Sequence, residues 1–284
     1  MAPPFCLLSV HAHPDDESSK GAGTVAKYHA EGVHTVLVCC TGGEEGDILN
    51  PAMDRDEVRA NIGAVREAEL AKAAAIIGYD EVVMLGYRDS GMPDSEANAN
   101  PAAFANADLD EAVGRLVAQI RRFRPQVVVT YADDQQGYPH PDHLRVHDIS
   151  HPAVDRAADP AWYPEAGGPW QVAKIYYSVW SKQRSELTHN KYVELGLESP
   201  FSAEWFDRPW QDHRITTSVD IEGYAGVRLD ALLAHATQID PASPFWFGLP
   251  RDVSRTVHPY DDSVLARSRV ESDIPETDLF AGLR

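Results

Sequence analysis

Long apolar runs, basic residues and cysteines are all scarce in this chain, and each shortage excludes something. No stretch approaches the roughly 20 consecutive apolar residues that span a bilayer, so none is expected to cross a membrane. The opening residues, MAPPFCLLSVHAHPDDE, have no basic region. Their short apolar run leads into polar residues rather than a cleavage site, which points to a cytoplasmic protein. Lysine and arginine number 25 against 44 aspartates and glutamates, a formal net charge of −19. That balance keeps a protein soluble, and it repels nucleic acid and anionic membranes as partners. A small, neutral or amine-bearing substrate suits it better. The three cysteines, Cys6, Cys39 and Cys40, lie in or beside apolar runs, and an odd, unspaced set is no disulfide framework. Cys39 and Cys40 are neighbours in a predicted strand, so their side chains face opposite ways and cannot easily share a metal ion.

What is present is a repeated alternation of strand and helix. Phe5 to Val10 is a short apolar run with HAHPDDE at its exit, and Ser18 to Ala30 has helix-forming composition. HTVLVCC at 34–40 is a second strand closed by TGGEEGD, after which Asp54 is expected to cap a long helix through Ile77 that stops at Gly78. EVVML at 81–85 and QVVVT at 126–130 are further strands, with a helix from Leu109 to Phe123 between them. Nearly continuous apolar strands separated by amphipathic helices predict an α/β, Rossmann-like fold, a mostly parallel sheet flanked by helices. From about residue 160 tryptophan, proline and glycine become common. We read 1–284 as one domain, with a Rossmann-like core over 1–159 and a C-terminal portion over 160–284 that completes the sheet and walls the pocket.

Ligands of such folds bind at the carboxyl ends of the strands, and the unusual polar clusters all follow predicted strands. In HAHPDDE a histidine precedes two adjacent carboxylates across a rigid proline, so one carboxylate can bind a metal while its neighbour handles protons. HPDH at 140–143 adds two histidines three apart. Two histidines and an aspartate with an open position suit catalytic zinc, whose bound water is acidified to a pKa of about 7. Read singly, Asp15 or Asp142 is an ordinary helix cap; read jointly, two His-Pro-Asp segments at two strand ends point to a shared task. His11 is read as a packed or supporting histidine. TGGEEGD lacks the GxGxxG spacing and carries acids where a phosphate would sit, so it is no nucleotide loop.

HPDDE after the first strand and HPDH after a later one make the sequence resemble the LmbE-like, or PIG-L-type, zinc deacetylase superfamily. The resemblance continues through Ser18 to Gly23, TGGEEGDILNPAMD, DSGMP, GYPHPDHLRVH, HATQIDP and ETDLFAGL, nearly the whole chain. This longer pattern is similar to the amidases of mycothiol S-conjugates, and less similar to the deacetylases of N-acetylglucosaminyl-inositol. The resemblance implies Zn2+ held by His13, Asp16 and His143, with Fe2+ as a second possible ion, and Asp15 as general base. It further implies that His140 stabilises the oxyanion or protonates the leaving amine, that Asp142 orients a histidine, and that Tyr138 is a polarising donor. Lys20, Glu45, Arg66 and Asp89 are implied to contact the sugar-inositol part of a small-molecule thiol conjugate, in detoxification or thiol-dependent biosynthesis. For Arg66 an ordinary salt bridge within its own helix is the alternative reading.

Two other classes compete. Non-haem iron oxygenases also use two histidines and a carboxylate, but the second carboxylate beside the first and the parallel α/β pattern favour hydrolysis. A sugar-binding module with a structural metal is disfavoured because structural zinc sites are closed and cysteine-rich.

Overall fold

The strands are short and apolar enough to be covered on both faces, and they assemble into one seven-stranded sheet. The computed structural model describes residues 5–135 and 137–284. Residues 1–4, part of the opening segment read above, and Gln136 of the loop before HPDH lie outside them. The strands are β1 (Cys6–His11), β2 (His34–Thr41), β3 (Glu81–Tyr87), β4 (Val127–Thr130), β5 (Lys174–Val179), β6 (Thr217–Asp220) and β7 (Tyr260–Ser268). Their order is β3-β2-β1-β4-β5-β7-β6; the first five are parallel, and β7 runs antiparallel to both β5 and β6. The α/β fold read from the sequence is therefore the one observed, and the C-terminal portion supplies β5, β6 and β7.

Alternation along each strand feeds two apolar layers. Leu8 and Val10 of β1 join Val113, Leu116 and Ile120 of the helix Leu109–Phe123 and Val146 and Ile149 of the helix Pro141–Ala158. Leu7 faces the other way, toward Val25, Tyr28, Leu70 and Ile77. Cys39 and Cys40 fall in opposite layers, as strand geometry requires, and all three cysteines are free and buried. Burial pushes the Cys6 thiol up to about 12, so it behaves as a core residue. No described helix is long and apolar enough to cross a membrane.

Two helices differ from the expectation. The one expected from Asp54 to Ile77 is broken into Asp56–Arg59 and Ile62–Ile77, with Arg55 and not Asp54 at the first cap. Asp54 is ion-paired with Arg59, while Asn61 leaves helical geometry at φ −129° and bonds the Glu57 carbonyl through Nδ2 at 2.9 Å. An asparagine that satisfies a carbonyl itself offers the backbone an alternative to the helix. The helix expected from Ser18 likewise splits into Asp16–Ser19 and Ala22–Ala30, because Gly21 turns the chain at φ 85°.

The order of strands explains where a ligand goes. From β1 the chain moves to β2 on one side, whereas β4 lies on the other. The crevice at this reversal of strand order opens between the loops that leave β1 and β4, and those loops carry HAHPDDE and HPDH.

Candidate metal centre

At the exit of β1 the backbone folds back on its own carboxylates. The Asp16 Oδ2 atom accepts the His13 N–H at 3.0 Å, and the carbonyl of Asp15 accepts the N–H groups of Ser18 and Ser19, both at 3.1 Å. Asp15 itself stands at φ 111°, a left-handed conformation that a non-glycine residue adopts only under constraint. Three neighbours supply it. Glu17 Oε2 accepts the Asp15 N–H at 2.9 Å, and Arg66, 3 % exposed, donates through Nη2 to the Pro14 carbonyl at 2.6 Å and to Asp15 Oδ2 at 3.1 Å. Gly43 holds the same guanidinium through its carbonyl, and a Cβ there would meet Arg66 Cζ at 2.4 Å. The glycine of TGGEEGD thus admits an arginine to the base of the HPDDE turn. Neither Asp15 nor Asp142 is a side-chain helix cap; the cap before Pro141 is His140, whose Nδ1 accepts the Asp142 N–H at 3.2 Å.

The two loops bring three ligand types to one point. Donor atoms of His13, Asp16 and His143 all lie within 4.8 Å of one another. His13 Nδ1 and His143 Nε2 each stand 3.4 Å from Asp16 Oδ2. On its other nitrogen His13 meets Asp142 Oδ2 at 3.1 Å and Asp89 Oδ1 at 3.6 Å. A second triplet, His13, Asp89 and His140, meets the same distance limit. Asp142 is completely buried, fixed by the Ser90 N–H at 3.0 Å and by the Ser90 hydroxyl. A carboxylate that holds one imidazole N–H leaves the other nitrogen free as a metal donor. With His13 Nε2 bonded to Asp142, Nδ1 is the nitrogen that faces Asp16 and His143, so the donor set fits a divalent ion.

The electrostatics agree at two of the three, whereas His13 is lifted well above the ordinary imidazole value, its burial outweighed by Asp142, Asp16 and Asp89. Burial lowers His143 to about 4, against the pull of Asp16, which keeps it the neutral imidazole that metals bind. Asp16 is held well below the usual carboxylate range, with burial outweighed by Lys20, whose Nζ is 2.5 Å away, and by His143. Burial lifts the Asp15 carboxyl above its ordinary value despite Arg66.

The remaining expected residues line the same cavity of about 460 Å³: Lys20, Glu45, Arg66, Asp89, Tyr138 and His140. Lys20 is engaged with Asp16, Glu45 is ion-paired with Arg88, and Asp89 accepts from the Gly91 N–H at 2.8 Å. Arg66 makes no salt bridge within its own helix; its ion pair is with Asp15. Sequence reasoning missed three supports. Glu17 and His235, both fully buried, form a pair at 2.7 Å beneath Asp15, and Tyr131 lies 4.5 Å from the His143 ring and 3.3 Å from His11 Nδ1. A glutamate next to HPDD and a histidine in HATQIDP were visible, but 218 positions separate them and nothing local joins them.

A profile of the PIG-L, or GlcNAc-PI de-N-acetylase, family matches residues 8–154, a span that holds both His-Pro-Asp segments. The chain belongs to this family. Membership makes it an amide-cleaving hydrolase, and the cluster just described is a group that could hold a metal ion. Among related proteins, a mycothiol S-conjugate amidase of Streptomyces coelicolor is 44% identical over 98% of this chain and 97% of that protein. A 1D-myo-inositol 2-acetamido-2-deoxy-alpha-D-glucopyranoside deacetylase of Geodermatophilus obscurus is 42% identical over 100% of this chain and 99% of that one. The N,N'-diacetylchitobiose deacetylase of Pyrococcus horikoshii shares the fold with a TM-score of 0.61 at 19% identity, over 91% of this chain and 82% of that one.

Proposed function

We propose that this chain is a zinc-dependent amidase acting on mycothiol S-conjugates, cleaving the amide between N-acylcysteine and glucosaminyl-inositol to release a mercapturic acid. The observation that carries the chemistry is the meeting of His13, Asp16 and His143 within 4.8 Å, beside an Asp15 held at φ 111°. The identity of 44% to the Streptomyces coelicolor amidase over nearly the whole chain supports the substrate.

In this reading His13, Asp16 and His143 hold the ion and Asp142 orients His13. Zinc, when bound, acidifies water and polarises a carbonyl. Asp15 takes the proton of the attacking water, and its raised proton affinity suits a general base. Water oxygen bonds to the carbonyl carbon, and Tyr138 and His140 offer donors to the oxygen that becomes negative. The C–N bond then breaks as the protonated Asp15 returns its proton to the departing nitrogen, because an amide anion is too basic to leave; burial lowers His140 and keeps it the neutral donor to the oxyanion.

The second reading, deacetylation of N-acetylglucosaminyl-inositol, is favoured by the identity of 42% to the Geodermatophilus obscurus deacetylase. Turnover of a bimane conjugate of mycothiol against that acetylated compound separates the two. A preference for the conjugate of about tenfold or more supports the amidase; an equal rate or the reverse preference overturns it. Metal analysis identifies the ion, and equal rates with and without oxygen are expected of a hydrolase.

A further inference from the structure

A second cavity, of about 440 Å³, adjoins the first and differs from it in chemistry. Ser19, Lys20, Tyr138, His143 and Trp246 line both, so the two meet at the metal centre. The first is walled by Glu45, Arg66 and Asp89, groups that hydrogen-bond hydroxyls. The second is walled by Trp180, Trp205, Trp210, Phe245 and Trp246. Trp180 stacks on Phe245 at 5.8 Å and meets Trp246 edge-on at 5.8 Å, and Trp205 meets Phe245 at 5.4 Å. Rings in these mutual arrangements offer faces and edges to a further ring.

The size of this cavity asks for more than an acetyl group. Pockets of roughly 300–1,000 Å³ hold whole drug-sized ligands, whereas an acetyl group adds one methyl beyond its carbonyl.

We propose that this cavity is the acyl-side subsite, and that it takes a planar aromatic group carried on the cysteinyl sulfur. The proposal rests on the amidase reading and adds the part of the molecule that selects the sulfur substituent. A substrate would lie across the metal centre, sugar in the first cavity and sulfur substituent in the second.

The test uses Trp205→Ala and Phe245→Ala with two substrates, the bimane conjugate of mycothiol and N-acetylglucosaminyl-inositol. Loss of one ring wall should lower kcat/KM for the conjugate about tenfold, and for the acetylated compound by less than about twofold. Trp205→Phe, which keeps a ring, should recover most of the difference. Equal losses on both substrates, or no loss on the conjugate, overturn the subsite. Binding of N-acetyl-S-bimanyl-cysteine, followed by quenching of tryptophan fluorescence in metal-free protein, provides an independent readout. If wild-type protein leaves the conjugate intact, the amidase reading fails. The subsite is then judged by binding alone, and a Kd unchanged in both alanine variants overturns it.

Discussion

The exits of β1 and β4 and the aromatic wall of the C-terminal portion meet at one place, yet one is lined by bonded carboxylates and imidazoles and the other by rings. At the strand exits each buried carboxylate has several fixed partners. Asp16 accepts from His13 N–H and Lys20, Asp142 from two groups of Ser90, and Glu17 from Asp15 N–H and Ser18. Across the wall, by contrast, the rings of Trp180, Trp205, Trp210, Phe245 and Trp246 bound an open volume. Chemistry that must stabilise one transition state profits from groups held in advance. Recognition of a variable substituent profits from apolar faces that accept many shapes. In the proposed reading, reaction belongs to the strand exits and selection to the C-terminal portion.

The largest effects should therefore come from the strand exits. His13→Ala should lose the metal, measured by elemental analysis, and lower activity by about 10³-fold or more. Asp15→Ala should keep the metal and lower kcat by about 10²–10⁴-fold. A metal-free His13→Ala protein with full activity, or an Asp15→Ala protein with undiminished kcat, would break the division at its root.

Much of this half was legible in advance, because its signals are local. VVVT and CLLSVH are mostly apolar and buried on both faces, as a covered parallel strand requires, and HPDDE and HPDH follow these two strands. What stayed hidden depends on distant partners. The ion pair of Arg66 with Asp15 spans 51 positions, and the positive φ of Asp15 is imposed by Glu17 and Arg66, not by its own residue type. The break at Asn61 was overlooked because apolar periodicity runs through it. The aromatic wall was least legible of all: Trp180, Trp205 and Trp246 come from short, irregular segments with no period to read.

A smaller effect, on stability alone, should come from the start of β5, at the end of the sheet opposite the strand exits. Lys174 and Glu276 are buried and paired at 2.5 Å, with Tyr176 and Thr217 also bonded to Glu276. Lys174→Met leaves that carboxylate buried without its cation and should cost about 3–5 kcal/mol in denaturant unfolding. Glu276 is held below the ordinary glutamate range: burial raises it, and Lys174 with its other partners more than offsets this. Its folded value lies below its unfolded value of about 4.3, so the stability it contributes is present above that pH and is lost as pH falls through the folded value. Wild type should thus lose much of its advantage over Glu276→Gln on acidification below about pH 4. An advantage that grows on acidification would contradict the assignment.

The smallest effect probes the seam between the two regions. A Cβ on Gly23 would lie 2.5 Å from Ile221 Cδ1, which follows β6, whereas a Cβ on Gly21, at φ 85°, would meet nothing within 4 Å. Both substitutions to alanine should destabilise, by different physics. Gly21→Ala costs about 1–2 kcal/mol of backbone strain. Gly23→Ala costs about 1–3 kcal/mol of overpacking, and only this second cost depends on the neighbour. Ile221→Val removes the clashing methyl, and alone it costs about 0.5–1.5 kcal/mol because Ile221 is buried. Combined with Gly23→Ala it should recover about 0.5–1 kcal/mol relative to additivity, while with Gly21→Ala the two costs should simply add. Coupling at Gly23 and additivity at Gly21 would show the C-terminal portion seated directly on the helix that follows the HPDDE turn. Additivity at both positions would mean that the two regions meet there without close packing.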